Sequence, residues 1–347
     1  MAYSLEATLI LDKNLFDAAL QPGVRTALAP SNQQLRQAEN ETFGRLLDAQ
    51  GNFLPGACLQ RDCPLCKTAH ESATFLMRAY GMHLVRCPSC RLVYSREVIN
   101  QEFERQRYQE SNASEANLAL KENPAYAGLE RQKASYVIGR LSAYAGSGKL
   151  LDIGSSSGAL LRAGEMSGWQ ACGIEINAPA ADLSKKNGLD VACGQYPYAM
   201  PSNWREFDAI AALDVLEHIP DPLSFLASVR DHLKPNGWLV VQVPNFSSLL
   251  LTIEGTRNNN ICHGHWSYFD RYTLGTLMQE SGFEIHFLET YISELDRVLA
   301  YPDAIIEAAW HNLSDSPLNA PRELTVERLH SEMLGYKLFG IFRKLST

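Results

Sequence analysis

Long apolar runs are missing from this sequence of 347 residues, and no stretch of about 18 or more apolar residues could form a conventional membrane-spanning helix. A surplus of basic residues is missing too, because 31 Lys and Arg face 39 Asp and Glu and leave a formal charge of −8. That balance argues against a protein that coats nucleic acid, although it is compatible with a local basic patch. The first residues lack the basic segment and apolar core of a secretory signal, so we expect a cytoplasmic protein.

Cysteine is sparse outside two Cys-x-x-Cys pairs, which hold four of the eight cysteines. In a cytoplasmic chain, such thiols are typical of reduced side chains or metal ligands rather than disulfides. The two pairs have the spacing of a structural zinc ribbon, in which four thiolates leave no coordination position open for catalysis. The expected Zn²⁺ ligands are Cys63, Cys66, Cys87 and Cys90. A redox-active Cys-x-x-Cys pair is the alternative function, but one redox pair would not require a second Cys-x-x-Cys pair. His70 and His83 are alternative zinc ligands.

Basic residues surround these cysteines, at Arg61, Lys67, Arg78, Arg86 and Arg91. They could bind RNA phosphates. Alternatively, they offset the negative charge of a zinc centre with four thiolates, which is the interpretation we favour.

From residue 149 onward the sequence alternates between short apolar runs and amphipathic segments, which predicts a doubly wound α/β sheet. The predicted strands cover 150–153, 170–176, 207–213, 238–243 and 283–291, with 335–344 as a candidate last strand, and the predicted helices cover 159–166, 179–186, 223–233 and 274–279. A weaker amphipathic helix is predicted at 35–47.

These patterns divide the chain into four predicted parts. They are an N-terminal extension at 1–60, a zinc-binding module at 61–96, a helical linker or substrate cap at 97–145, and an α/β domain at 146–347 with a helical insertion at about 292–334.

Three motifs are predicted to meet at the carboxyl edge of the sheet. Asp152-Ile-Gly-Ser-Ser-Ser-Gly158 follows one strand and begins a helix, as in loops that approach nucleotides closely. Glu175 ends the next strand, where an acidic residue can bind a ribose or simply face solvent. The segment 213–220, Leu-Asp-Val-Leu-Glu-His-Ile-Pro, follows a later strand. Because ligands of open α/β sheets bind beyond these strand ends, we expect one shared crevice.

In order and spacing, the three motifs resemble class I S-adenosylmethionine-dependent methyltransferases, over about residues 149–288. A dehydrogenase would more usually carry Gly-x-Gly-x-x-Gly, whereas position 156 is Ser. The resemblance implies a Rossmann-like sheet of seven strands and a cofactor site that includes Ser156. By that resemblance, Asp152, Gly154 and Gly158 would hold the methionine end, Glu175 the ribose, Ile176 and the Gly194-Gln195 turn the adenine, and Asp214, Val215 and Leu216 the floor near the sulfonium.

The zinc module placed before such a domain is similar to the architecture of bacterial methyltransferases that act on deoxysugars or on other small molecules of secondary metabolism and surface polysaccharides. The segment 86–94, Arg-Cys-Pro-Ser-Cys-Arg-Leu-Val-Tyr, follows the second cysteine pair of that group. The similarity implies a small-molecule acceptor, such as a sugar nucleotide, and a zinc module that helps to build the substrate cleft. We expect no membrane partner, because long apolar runs are missing.

Methyl transfer to an acceptor that must lose a proton needs a base, and histidine is well suited to that role. The candidate catalytic residues are His218, His263, His265, Glu217 and Tyr268, although a structural role fits each histidine equally well. In the sugar C-methyltransferases a Glu-His pair aligns with Gly264-His265. The missing carboxylate at position 264 leaves room for an oxygen or nitrogen acceptor.

Two further hypotheses stay open. One is an RNA methyltransferase that binds its substrate through the zinc ribbon; the acidic balance and the absence of an Asn-Pro-Pro-Tyr motif disfavour it. The other is a non-catalytic binding protein that keeps the fold, against which the intact cofactor motifs argue.

Overall fold

A computed structural model describes residues 12–100, 102–104 and 112–346. The first eleven residues of the predicted extension, residues 101 and 105–111 of the predicted linker, and residue 347 lie outside these ranges.

Strands occur both before and after residue 145. In chain order they are β1 (Cys58–Gln60), β2 (Thr74–Ala79), β3 (Met82–Arg86), β4 (Val93–Ser95), β5 (Glu97–Ile99), β6 (Lys149–Ile153), β7 (Gln170–Glu175), β8 (Val191–Cys193), β9 (Phe207–Leu213), β10 (Leu233–Pro244), β11 (Ser267–Tyr268), β12 (Phe283–Tyr291) and β13 (Lys337–Lys344).

Helices alternate with the later strands and also precede them. In chain order they are α1 (Val24–Gly44), α2 (Asn112–Glu122), α3 (Pro124–Ala145), α4 (Ala159–Met166), α5 (Ala178–Lys186), α6 (Pro222–His232), α7 (Leu249–Glu254), α8 (Arg271–Glu280), α9 (Leu295–Val298), α10 (Asp303–His311) and α11 (Val326–Ser331). Among the described helices, none is both long and apolar enough to cross a membrane.

The main sheet has seven strands in the order β12-β13-β10-β9-β6-β7-β8. Strands β6 to β10 run parallel, and β13 is inserted antiparallel between β10 and β12. This arrangement confirms the predicted doubly wound α/β fold. The chain moves outward in one direction through β7 and β8 and then returns to place β9 on the other side of β6. That reversal creates the crevice in which such sheets bind ligands.

Local sequence explains how the helices start near this crevice. The Asn177 side chain accepts from the N–H of Ala180 at 3.0 Å and caps α5, while Asp270 and Thr273 form a reciprocal capping box at α8. The central strands bury nearly every side chain, and this explains their continuous apolar sequences.

A second sheet joins the cysteine module to the α/β part. Its four strands have the order β11-β4-β3-β2, and β1 pairs separately with β5. The edge strand β11 comes from the segment after β10, with Ser267 opposite Tyr94 and Tyr268 opposite Val93. The cysteine module therefore completes its sheet with a strand from a distant part of the chain.

Several boundaries differ from the sequence-based predictions. The helix predicted at 35–47 belongs to the longer α1, which starts at Val24 and contains Pro30. Strand β8, with three residues, was not predicted, and β10 begins at Leu233 rather than at 238. The predicted helical stretch at 292–334 contains α9, α10 and α11, which pack with α7 around the buried Trp310.

Candidate functional site

The loop between β6 and α4 is shaped by its glycines. Gly154 and Gly158 have φ angles of +76° and +81°, in the left-handed region that favours glycine. A Cβ atom on Gly154 would lie 2.8 Å from Val215 Cγ2, and one on Gly158 would lie 2.1 Å from Leu189 Cδ1. The loop therefore packs closely against the segment after β9 and against the start of β8. Ser156, between the glycines, is also left-handed at +52°.

The carboxylate of Glu175 ties this loop to the next one. It accepts from the backbone N–H of Ser156 at 2.7 Å and from that of Asn177 at 2.7 Å. The residue is 7% exposed, so it is not the solvent-facing strand-end carboxylate that was one alternative. Each oxygen keeps lone-pair capacity for another donor, such as a hydroxyl group.

Asp152 lies at the end of β6 and is buried. Burial and the neighbouring charge of Glu175 raise the pKa of Asp152 to about 8, while Lys133 acts in the opposite direction. Lys133 comes from α3 and pairs with Glu130 at 2.8 Å. No sequence pattern indicated this lysine, because an i, i+3 ion pair on a polar helix is ordinary.

Asp214 follows β9 in a left-handed conformation with φ +54°. Its carboxylate receives a hydrogen bond from the Gln242 amide and forms a 2.7 Å ion pair with Lys337 of β13. Burial alone would raise the pKa of Asp214, but Lys337 and Lys133 outweigh it and hold that pKa well below its ordinary value. Asp214 is thus a fixed negative charge, and Lys337 is a second site residue that sequence patterns did not reveal.

The remaining predicted cofactor residues lie around the same edge. Ile176 follows β7, and the turn at Gly194 is fixed by a 2.8 Å hydrogen bond from its N–H to the Glu175 carbonyl, which places Gln195 beside that strand end. Val215 contacts the glycine loop, whereas the side chain of Leu216 is fully buried in the main core. Because the Leu216 side chain faces the protein interior, it packs in the core beneath the expected sulfonium region.

Three of the candidate catalytic residues come together. Glu217 and His218 form a short 3-10 turn after β9, and His265 lies in the loop before β11. The N–H of Trp266 donates to the Glu217 carbonyl at 2.8 Å and fixes the loop against the turn. The rings of His218 and His265 meet edge to face with centroids 4.7 Å apart. Burial and the charge of Asp214 raise the pKa of Glu217 to about 8.

The other two candidates lie differently. The His263 ring stacks on Phe43 of α1 at a centroid distance of 3.6 Å and also contacts Tyr80. It therefore packs between α1 and the β2–β3 hairpin, in an aromatic environment. Tyr268 is buried in β11 with its ring centroid 6.3 Å from that of His265, and burial raises its pKa well above the ordinary value.

The four predicted zinc ligands form one cluster. Their Sγ atoms lie within 4.8 Å of one another, and two pairs, Cys63–Cys90 and Cys66–Cys87, are 3.4 Å apart. The residue after each pair, Lys67 or Arg91, has a left-handed φ and donates its N–H to the carbonyl of the first cysteine, at 2.9 and 3.1 Å. The two turns thus share one geometry.

Arg61 connects this cluster to the segments that carry the candidate catalytic residues. Its guanidinium donates to the carbonyls of Pro220 at 2.7 Å, Ser95 at 3.1 Å and Trp266. Burial lowers the pKa of Arg61 to about 10. Arg78 donates to Asn52 Oδ1 at 2.8 Å, and Lys67 lies 3.6 Å from Asp221. These three basic groups are therefore engaged within the protein.

Comparison with known proteins places this geometry in a family. Residues 117–287 match the family described as a methyltransferase domain. This region of the chain is a methyltransferase domain. It begins in α2 and contains every strand that supplies the glycine loop, Glu175 and Asp214.

Curated relatives of this methyltransferase domain are found in bacteria. The chain is 29% identical over 133 residues to the ubiquinone biosynthesis O-methyltransferase of Actinobacillus pleuropneumoniae serotype 5b, covering 35% of this chain and 53% of that protein. It is 31% identical over 107 residues to the protein of the same name from Haemophilus ducreyi, covering 28% and 45%. The chain thus spans about half the length of these relatives.

Among solved structures, an S-adenosylmethionine-dependent methyltransferase from Archaeoglobus fulgidus is similar, with 19% identity and a TM-score of 0.45. The similarity covers 62% of this chain and 94% of that one.

Proposed function

We propose that this protein transfers a methyl group from S-adenosylmethionine to a small molecule, namely a sugar or a related metabolite of secondary metabolism or surface polysaccharide. The observation that carries the proposal is the convergence of Asp152, Glu175 and Asp214 at the ends of three neighbouring parallel strands, within the methyltransferase domain.

The charges at this edge suit S-adenosylmethionine. The cofactor carries an ammonium group and a sulfonium, and the site offers the carboxylates of Asp152 and Asp214 to cations. Glu175, fixed by two backbone N–H groups, would bind the ribose hydroxyls. A dinucleotide would bring two phosphates toward the same carboxylates, which is unfavourable. We therefore assign these three residues to the methionine end, the ribose and the sulfonium region.

S-adenosylmethionine, when bound, supplies a methyl group on a positively charged sulfur. In the transfer, the methyl–sulfur electron pair would stay on sulfur while the acceptor forms the new bond to the methyl carbon and gives up a proton. The chain must align the acceptor and receive that proton. Glu217 and His218 follow the strand that ends at Leu213, His265 lies beside them, and we assign the proton to this cluster. His263 and Tyr268 are assigned to the support of the loop.

An oxygen acceptor is favoured for two reasons. The named relatives are O-methyltransferases, and residue 264 is glycine instead of the glutamate of sugar C-methyltransferases. The RNA alternative receives no support, because Arg61, Lys67 and Arg78 bind groups of the protein itself and the net charge is −8.

We also propose a structural Zn²⁺ at the four cysteines. A tetrahedral site with Zn–S bonds of about 2.3 Å needs sulfur atoms about 3.8 Å apart. The two shorter Sγ–Sγ distances of 3.4 Å and the overall limit of 4.8 Å fit that requirement.

The test is calorimetric binding of S-adenosylhomocysteine, which shares the ammonium and ribose, to the full zinc-loaded chain. At a pH above the Asp152 pKa of about 8, we expect micromolar affinity for the native chain and a loss of about tenfold or more for Asp152→Asn and for Glu175→Gln, on the scale of charged hydrogen bonds. Asp182→Asn is the matched control, because that carboxylate is exposed on α5. Absence of binding by the native chain refutes the proposal. A mass-spectrometric screen with sugar nucleotides and phenolic metabolites then identifies the acceptor.

A further inference from the structure

A second group of metal-ligating side chains lies apart from the four cysteines. Glu217, His218 and His265 each offer one ligand atom, and these three atoms lie within 4.8 Å of one another. Two of the residues are adjacent in the 3-10 turn after β9, and the third is brought in by the loop that Trp266 fixes to that turn.

The Glu217 carboxylate points to a missing cation. The residue is 1% exposed, and within the part of the chain that the structure describes neither carboxylate oxygen has a hydrogen-bond partner. Burying a carboxylate without a partner is costly, so such a group calls for a counter-charge. The ammonium of Lys337 is nearby, but it forms its 2.7 Å ion pair with Asp214.

The two histidines are held as metal ligands usually are. The Nδ1 atom of His218 lies 2.8 Å from the Gly264 carbonyl, and that of His265 lies 2.9 Å from the Asn260 carbonyl. A carbonyl can only accept, so each Nδ1 carries a proton, and in the neutral ring each Nε2 then has a lone pair that can bind a metal. Metal-bound histidines are commonly oriented by this kind of hydrogen bond from the second ring nitrogen.

We propose that Glu217, His218 and His265 bind a divalent transition-metal cation through one carboxylate and the two Nε2 atoms. Two imidazoles and one carboxylate favour Mn²⁺, Fe²⁺, Co²⁺ or Zn²⁺ over Mg²⁺ and Ca²⁺, which prefer oxygen ligands. Three protein ligands leave coordination positions open, unlike the four-cysteine site.

The open positions give the cation a role at the methyl-transfer site, and this part of the inference rests on the proposed function. A hydroxyl oxygen bound to the cation loses its proton at lower pH, because the metal charge stabilises the alkoxide or phenolate. The O–H electron pair would stay on oxygen, which attacks the methyl carbon while the methyl–sulfur electron pair remains on sulfur. With the cation bound to both Nε2 atoms, the proton passes to solvent instead of to the histidines.

The experiment is a Mn²⁺ titration of the full chain loaded with one equivalent of Zn²⁺, which the four thiolates bind first, and the free Mn²⁺ is followed by electron paramagnetic resonance. Mn²⁺ is the probe because oxygen and nitrogen ligands suit it and thiolates do not. We expect one Mn²⁺ per native chain and a loss of affinity of at least about tenfold in Glu217→Gln and in His265→Asn, on the scale expected when one metal ligand or its support is lost. His70→Gln is the matched control, because His70 belongs to an exposed group with Asp62 and Glu71.

Glu217→Gln keeps the shape of the side chain and introduces no charge, so we expect that variant to fold, as circular dichroism would verify. Equal Mn²⁺ binding by the native chain and Glu217→Gln overturns the proposed site, as does the absence of Mn²⁺ binding by the native chain. S-adenosylhomocysteine is titrated in parallel. Cofactor binding without Mn²⁺ binding overturns the cation site alone, whereas Mn²⁺ binding without cofactor binding overturns the proposed methyl transfer alone.

Discussion

Arg61 offers a direct test of how the cysteine module is attached. Replacing it with Met keeps the apolar stem and removes the guanidinium that donates to the carbonyls of Ser95, Pro220 and Trp266. Two of these carbonyls belong to buried residues, namely Ser95, which is 0% exposed, and Trp266, which is 1% exposed. The third, at Pro220, lies at the surface, where water can replace the lost donor.

The expected cost follows from the two buried carbonyls. Hydrogen bonds from a charged donor contribute about 1.5 to 3 kcal/mol each. Burial lowers the pKa of Arg61 to about 10, which shows that the guanidinium loses hydration in the folded state. Removing the guanidinium also removes the cost of its lost hydration, so we take the lower end of the hydrogen-bond range, about 1.5 kcal/mol, for each of the two bonds. The free energy of unfolding should therefore fall by about 3 kcal/mol in Arg61→Met.

Urea denaturation of the zinc-loaded chain, followed by circular dichroism, measures this difference. Arg78→Met is the matched control, because Arg78 lies in the same module and donates to the exposed segment at Gln50 and Asn52. We expect that control to stay within about 0.5 kcal/mol of the native chain. If Arg61→Met is as stable as Arg78→Met, the reasoning about the anchoring bonds is wrong.

The remaining predictions concern pH, backbone geometry and the metal. Asp152 has a pKa of about 8 in the unliganded protein, so its carboxyl group is protonated below that pH. The affinity for S-adenosylhomocysteine should therefore rise about tenfold per pH unit from pH 6 to about pH 8 and then level off. Calorimetry in matched buffers measures this, and a flat profile that equals that of Asp152→Asn contradicts it. Gly158→Ala should lower the free energy of unfolding by about 1 to 3 kcal/mol more than Gly168→Ala does. Both glycines have positive φ, but only at Gly158 would a Cβ atom lie against Leu189. Equal thermal stabilities of the two variants would contradict the packing argument. Cys87→Ser should lose the bound zinc, as atomic absorption would report, and should unfold at a lower urea concentration than the native chain. An unchanged zinc content would show that Cys87 is not a ligand.

Much of the α/β sheet was predictable from the sequence. The predicted bounds of β9 and β12 agree with the structure because a buried strand is a run of apolar residues that ends where polar residues begin. The Gly154 turn was visible for the same local reason, since its left-handed φ requires a residue type that the sequence displays.

Contacts between distant segments were not predictable in this way. Strand β11 has two residues, too few to show a period, and it exists because it pairs with β4 more than 170 residues earlier in the chain, at about residue 94. The same holds for Lys337, whose pairing with Asp214 depends on β13 being inserted into the sheet. The approach of Glu217 to His265 likewise requires the loop to fold back on the turn. Single residues carry no sequence signal for such long-range partners.

The sheet shared by β2, β3, β4 and β11 also bears on how such a protein can change over evolutionary time. A recombination event that exchanged the cysteine module alone would bring in a sheet edge shaped for a different final strand. Its new partner would still be Ser267 and Tyr268, in the loop that also carries His265. We therefore expect the cysteine module and this loop to be inherited together, so that a chimaera folds only when both segments come from the same parent.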